Sequence, residues 1–420
     1  MNELIKAKEL AYEILTLVER KNFYANVLLR EKLTKFSSIY NPLITDIVYG
    51  VLRRKNTLDW YISNFVKIKM LDLKLLTILR MGIYQILYHG TPKPLIVNES
   101  VEMGKNLVSR KAGNLINAVL RKIATTDIKP TEKSLVYSHP NWLIDKWERE
   151  LGEEETKSLC ERNNSPMLLS FRVNTLKTDI DEVENILKGK GLIVTRGKFS
   201  KNCLILKEGD IGPIIALEEE GKIFIQSEPS MVVVELLDPK PKMRILDGCS
   251  GVGGKTTYIA ELMSNNGEII AVDKAKSKLE SLRNIANKRD ISIIECIESQ
   301  IENLSPEYIG YFDRVLLDVP CSGLGTLSRR PEIKWRLKPK DIENLSKLQK
   351  RILESGAKFL KPGGILVYSA CTISKEETYD IIKSFIDENK DYYLVEEKQF
   401  LPHIDDVEGF YIVKLQRGYA

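Results

Sequence analysis

Histidine and paired cysteine are both scarce in this chain of 420 residues. It carries only three histidines, and its six cysteines (Cys160, Cys203, Cys249, Cys296, Cys321 and Cys371) never form a C-x-x-C pair. Structural zinc sites draw on closely spaced cysteines and histidines, and disulfide frameworks on a dense set of cysteines in a short chain. Neither pattern exists here, so no metal is expected. No apolar run reaches the ~20 residues that cross a membrane. The opening MNELIKAKELAYEILTLVERKNF reads as a charged amphipathic helix, not a signal peptide. A cytoplasmic monomer without a membrane partner is expected. Internal repeats and low-complexity tracts are also missing, which excludes solenoids and disordered linkers.

What is present is enough apolar sequence, 43% of residues, for two or three ordinary cores. The net charge of +5 hides an asymmetry: residues 1–140 carry a net +10 and the remainder a net −5. A basic lobe fits a polyanion partner, with a merely solvated basic surface as the alternative. Residues 1–130 show apolar positions at helical spacing and no strand pattern, which predicts an all-α domain. A break falls near 126–141. Residues 141–230 alternate short strands (Met167–Val173, Leu192–Thr195, Cys203–Leu206, Ile223–Gln226) with a helix over Asp179–Lys188, an α+β module that is RRM-like. From 231 to 420 strands and helices alternate, which predicts an α/β Rossmann-like domain on a parallel, doubly wound sheet. Its strands are expected at MRILD, EIIAVD, ISIIEC, FDRVLLDVP, GGILVYS and GFYIVKL.

The segment MRILDGCSGVGGKTTYIAELM runs strand, glycine-rich turn, helix. Its glycines let a ligand approach the backbone and leave helix N–H groups open to it. A nucleotide-triphosphate loop would need glycine where Cys249 stands, so that reading fails. Asp273 ends the next strand, well placed for two ribose hydroxyls. A nucleoside fits best, a nicotinamide dinucleotide nearly as well. Cys321 and Cys371 each close a strand of the same sheet, beside Asp318. Two thiols on one strand-end edge fit covalent attack on an electron-poor ring; the plainer alternative is two small buried hydrophobes. After Cys321, GTLSRRPEIKWRLKPK gathers Arg329, Arg330 and Lys334 around Trp335, a composition suited to single-stranded RNA. The alternative is a loop with Trp335 packed inward.

These motifs carry a family likeness over essentially the whole chain. Asp318-Val319-Pro320-Cys321-Ser322-Gly323 resembles the D-A-P-C-S-G motif of S-adenosylmethionine-dependent RNA cytosine-5 methyltransferases, and Tyr368-Ser369-Ala370-Cys371-Thr372 resembles their Y-S-T-C-S/T motif. Phe171-Arg172-Val173-Asn174 resembles their R-V-N segment, and VYGVLRRKNTLDW with NLINAVLR resembles a NusB-type RNA-binding domain. The full arrangement is similar to the bacterial 16S rRNA cytosine-5 methyltransferases.

The resemblance implies Cys371 as nucleophile at carbon 6 of cytosine, Cys321 in product release, and Asp318 stabilising the adduct. It implies that S-adenosyl-L-methionine lies against Cys249, Ser250, Gly251, Val252, Gly253, Gly254, Lys255, Asp273, Glu298 and Asp318. It implies RNA contacts at Arg172, Asn174, Arg53 and Arg54, and ribosomal RNA, unassembled or partly assembled, as the partner. Three features depart from the family. Ser250-Gly251-Val252 stands where it has A-A-P, Glu298 stands where it has aspartate, and Gln226-Ser227 stands where it has Gln-Asp. A methyltransferase acting on tRNA or another RNA, and a non-catalytic RNA-binding assembly or antitermination factor, remain the alternatives.

Overall fold

The computed structural model describes residues 3–36 and 39–419. They fall into two compact units: residues 1–166 with 326–337, and residues 167–325 with 338–420. No helix among the described residues is long and apolar enough to cross a membrane.

The first unit is helical. Helices Glu3–Lys21, Ala25–Phe36, Asn41–Arg53, Lys55–Ser63, Leu73–Tyr88, Lys93–Leu107 and Arg110–Thr125 enclose one apolar core. Local chemistry sets several of their starts. Pro42 sits in the first turn of Asn41–Arg53, where its missing N–H is no loss. Asp72 and Ser109 cap the helices that follow them by accepting from Leu75 N and Ala112 N. Leu73–Tyr88 is buried on every side from Leu75 to Ile86, which marks it as the central helix. Its one buried cation, Arg80, pairs with Asp59 at 2.6 Å. Helices Asn141–Leu151 and Glu153–Asn163 belong to this unit too, as does the short segment 326–337.

The second unit contains two sheets. The smaller is antiparallel, in the order β2-β3-β1-β4, from β1 (Leu169–Val173), β2 (Ile193–Arg196), β3 (Cys203–Glu208) and β4 (Ile223–Ile225). The helix expected over Asp179–Lys188 runs Ile180–Gly189, with Asp179 as its cap. The larger sheet has seven strands: β5 (Arg244–Asp247), β6 (Glu268–Asp273), β7 (Ile294–Glu298), β8 (Phe312–Asp318), β9 (Leu360–Ala370), β10 (Tyr392–Phe400) and β11 (Phe410–Arg417). Their order is β10-β11-β9-β8-β5-β6-β7. β5 pairs with β6 on one side and β8 on the other, so the chain reverses direction across the sheet at β5. Ligands of open α/β sheets bind at such a switch point, outside the strand ends.

The sheet is mixed, not wholly parallel as expected, because β11 runs antiparallel to both β9 and β10. The sequence pattern misses β10: seven of its nine residues face solvent or lie half-buried, so its period-2 apolar signal is absent. β7 starts later than ISIIEC predicted. It is an edge strand with no fully buried residue, and Ile291 packs ahead of it as part of the core instead.

Candidate active site

Strand register explains how the two thiols meet. β8 and β9 are parallel neighbours with Asp318 opposite Ser369. Cys321 and Cys371 lie just past the two strand ends, and their Sγ atoms are 3.0 Å apart. Both cysteines are free. The hydrogen bond from Cys371, with burial behind it, pushes the Cys321 thiol well up from its ordinary value. Asp318, at the same edge, accepts from Ser369 Oγ at 2.9 Å and pairs with Lys255 Nζ at 2.6 Å. The Lys255 ammonium, which could have served a thiolate, therefore has a carboxylate as its partner.

The glycine turn lies between β5 and the helix Gly254–Leu262. It folds back by Gly253 N donating to Ser250 O at 3.0 Å, with Ser250 N tied to Val272 O. Gly251 has φ +56° and a Cβ added there would meet nothing within 4 Å, so its face opens on free space. At Gly253, φ is +93° and a Cβ would lie 2.2 Å from Leu282 Cδ1, so this glycine is required by packing. Asp273 ends β6 and accepts from Gly251 N at 3.1 Å and Ala275 N at 2.8 Å, which holds its carboxylate beside the turn. Glu298 sits opposite Asp273 at the end of β7 and is exposed.

Asp247, before the turn, is buried. Thr256 Oγ1 donates to its Oδ2 at 2.7 Å, while among the described residues no donor meets the hydrogen-bond geometry at Oδ1. Burial pushes this carboxyl up to about 7. Burial likewise raises the Cys249 thiol, which packs against the sheet core. Val252 is half exposed on the rim.

Several expected RNA contacts turn inward. Arg172 has 0% exposure. Its guanidinium forks onto Glu261 with two 2.8 Å bonds, reaches Gly254 O at 2.9 Å, and donates to Thr257 Oγ1 and Gln226 Oε1. It fixes the first turn of the helix after the glycine turn, because a buried fork of five N–H groups needs internal acceptors. Asn174 is also fully buried; it donates to Gly221 O and accepts from Leu176 N. Within the helical unit, Arg53 is buried with Nη2 on Ser328 O, and Lys334 is buried with its ammonium on Arg53 O and Asn164 Oδ1. Trp335 spends its indole N–H on Leu52 O, the inward alternative. Arg54, Arg329 and Arg330 are half-buried; Arg54 lies over the Tyr88 ring and Arg330 over the Tyr24 ring.

The sequence reading missed Ser369, which orients Asp318, and Glu377, a buried carboxylate between the two cysteine loops. Asp318 opposite Ser369 in neighbouring strands was the available signal for the first. Glu377 sits in a charged stretch, KEET, that reads as solvated surface.

The chain matches three family models: 16S rRNA methyltransferase RsmB/F over residues 234–416, the NusB family over 5–125, and the RsmF/B-like ferredoxin-like domain over 139–211. It is similar to the probable ribosomal RNA small subunit methyltransferase B of Bacillus subtilis (strain 168), with 31% identity over 98% of each chain. The protein of the same name from Synechocystis sp. is 33% identical over 99% of this chain and 100% of its own. The crystal structure of PH0851 shares the fold with a TM-score of 0.87 and 29% identity, over 98% of this chain and 99% of that one.

Proposed function

The chain belongs to the 16S rRNA methyltransferase RsmB/F family, and from that premise we propose that it methylates carbon 5 of one cytosine in 16S rRNA through a covalent adduct with Cys371. The observation that carries this reading is the pair of free thiols 3.0 Å apart at adjacent strand ends. Two bland core cysteines have no reason to meet at a ligand-binding edge beside an ion-paired aspartate.

Carbon 5 of cytosine is a weak nucleophile. Addition of the Cys371 thiolate to carbon 6 makes an enamine-like ring whose carbon 5 is nucleophilic. Asp318, held by Ser369 and paired with Lys255, faces the adduct as the group that stabilises ring nitrogen 3. After methylation the carbon-5 proton leaves to a base, the C5=C6 bond re-forms, and the C6–S bond breaks. Cys321, whose Sγ lies 3.0 Å from that of Cys371, is placed to donate its S–H to the departing Cys371 sulfur.

The residues present fit S-adenosyl-L-methionine: the open face of Gly251, the Oδ1 of Asp247, and the strand-end carboxylate of Asp273 line one edge. When bound, this group supplies an electrophilic methyl on a sulfonium. Gly251 and its neighbours would pass along its backbone-facing side, and Asp273 would receive the ribose hydroxyls. The glycine at 251 preserves the approach that the family's alanine gives. The target base must be unstacked to reach the thiols, which favours RNA that is unassembled or partly assembled. The +10 charge of residues 1–140, with the half-buried Arg54, Arg329 and Arg330, supports phosphate contact by the helical unit.

Bisulfite mapping of 16S rRNA from cells with and without the gene tests the proposal. One cytosine protected only when the protein is present is the expected result. An unchanged 16S map with a protected cytosine in tRNA would move the substrate, and no protected cytosine in any RNA would end the enzymatic reading.

A further inference from the structure

Glu377 has 0% exposure, and its carboxylate joins the two cysteine loops. Oε1 accepts from Ser322 N at 2.8 Å and from Gln349 Nε2 at 3.0 Å. Oε2 accepts from Ser322 Oγ at 2.5 Å and from Thr372 Oγ1 at 3.0 Å. Ser322 follows Cys321 in sequence, and Thr372 follows Cys371. The two hydroxyls also touch each other at 2.9 Å. Gln349 makes a second bond, to Pro320 O at 2.9 Å, so the residue before Cys321 is tied to the same cluster. The turn bearing Glu377 is itself fixed: the Tyr368 hydroxyl donates to Glu377 O at 2.8 Å and Ser346 Oγ donates to Glu376 O at 2.6 Å.

A buried carboxylate costs several kcal/mol of desolvation unless donors replace its water. Here all the donors come from the two thiol-bearing loops and from Gln349, which braces one of them. That is an arrangement for setting a distance. We infer that Glu377 is the positioning residue that fixes the separation and orientation of Cys321 and Cys371. The inference rests on the two-thiol reading above. Glu377 touches no reacting atom; it acts through Ser322 and Thr372. Its negative charge also contributes to the raised thiol of Cys321.

The test uses the full-length protein and an RNA carrying 5-fluorocytosine at the target position. Fluorine cannot leave carbon 5 as a proton, so the adduct is trapped and its rate of formation can be read on denaturing gels. A displacement of about 1 Å at reacting atoms costs on the order of 100-fold in rate. Glu377→Ala should therefore lower kcat and the trapping rate about 100-fold, while KM for RNA and the affinity for S-adenosylmethionine stay within about twofold. Glu377→Gln should recover most of that loss, because its carbonyl can accept from Ser322 N and Gln349 while its amide faces hydroxyls that can accept in turn. Recovery by glutamine separates positioning from a requirement for charge.

Wild-type kcat in Glu377→Ala would overturn the inference, as would equal losses in the alanine and glutamine variants. If Glu377→Ala no longer binds S-adenosylmethionine, Thr372→Val decides, since it removes one donor and leaves the carboxylate with the others. A roughly tenfold slower trapping rate at unchanged cofactor affinity supports positioning; a wild-type rate refutes it. If the wild-type protein itself forms no trapped complex, the two-thiol reading fails and the role of Glu377 falls with it. Wild-type trapping with an unaffected alanine variant removes Glu377 alone.

Discussion

Arg172 and Lys334 make an instructive pair. Both were expected at an RNA surface, both are fully buried, and their surroundings differ. Arg172, in the unit that holds the methyltransferase sheet, has Glu261 across a two-bonded fork and further acceptors around its rim. Lys334, in the helical unit, bonds neutral oxygens, Arg53 O and Asn164 Oδ1, among the described residues. The consequences for charge follow. Burial raises the Glu261 carboxyl even with a guanidinium beside it, yet the pair remains an ion pair at 2.8 Å. The Lys334 ammonium, with no counter-charge bonded to it among the described residues, is pushed well down from its ordinary value, first by burial. A basic residue in a motif therefore says little about where its charge points until its partners are known.

The strand-end edge of the large sheet contrasts with both. There the residues singled out from sequence converge: Cys321 with Cys371, Asp318 with Lys255, Asp273 with the glycine turn. The largest expected effect lies at this edge. Cys371→Ala should bind RNA, lose turnover to background and form no covalent species. Cys321→Ala should still add and methylate but release slowly, leaving protein and RNA joined. Denaturing gels with labelled RNA distinguish the two, and a retarded band from Cys371→Ala instead would exchange the roles.

The difference in legibility has a physical cause. Chemistry at strand ends depends on residues local to a motif, and the parallel register of β8 and β9 brings two such motifs together. Glycines 251 and 253 announce a turn because few other residues tolerate their φ. The helical unit was readable from apolar spacing, and β11 from its run of buried residues. Long-range polar pairing was not readable. Nothing in R-V-N shows that Glu261, 89 positions away, will receive its arginine. Nothing in KEET shows that Glu377 will be buried under two loops. β10 is held by its ladder to β11 and not by an apolar face, so it left no pattern either.

The second-largest effect breaks the Arg172 side of the comparison. Arg172→Met leaves Glu261 buried without its cation, which typically costs ~3–5 kcal/mol. Urea unfolding should show that loss, with the transition shifted to lower denaturant. An RNA contact at the surface would instead leave stability unchanged and weaken RNA binding alone.

Asp273→Ala comes next. Its carboxylate holds Gly251 N and Ala275 N and is the expected ribose ligand. Loss of a charge-assisted site of this kind weakens binding by about 1–3 kcal/mol. Calorimetry should show weaker binding of S-adenosylmethionine with RNA affinity retained; equal cofactor affinity would take Asp273 out of the site.

The smallest effect sharpens the Lys334 side. Lys334→Met removes a cation that was unfavourable to bury, and leaves two carbonyl oxygens without a donor, at about 1–3 kcal/mol for an unmet buried group. The two terms oppose each other, so the net change near neutral pH should be smaller than for Arg172→Met. The pH dependence gives the sign. The folded-state value for Lys334 lies below its unfolded value of 10.5, so between the two the unfolded chain binds more protons. Stability from this residue therefore rises with pH across that window and levels off above 10.5. Measured against Lys334→Met, the wild type should gain as pH climbs through that window toward 10, since the variant lacks the titrating group. Parallel stability curves for the two proteins would mean that Lys334 meets an unrecognised counter-charge in solution. A drop in RNA affinity for the variant without a change in stability would return Lys334 to the RNA surface.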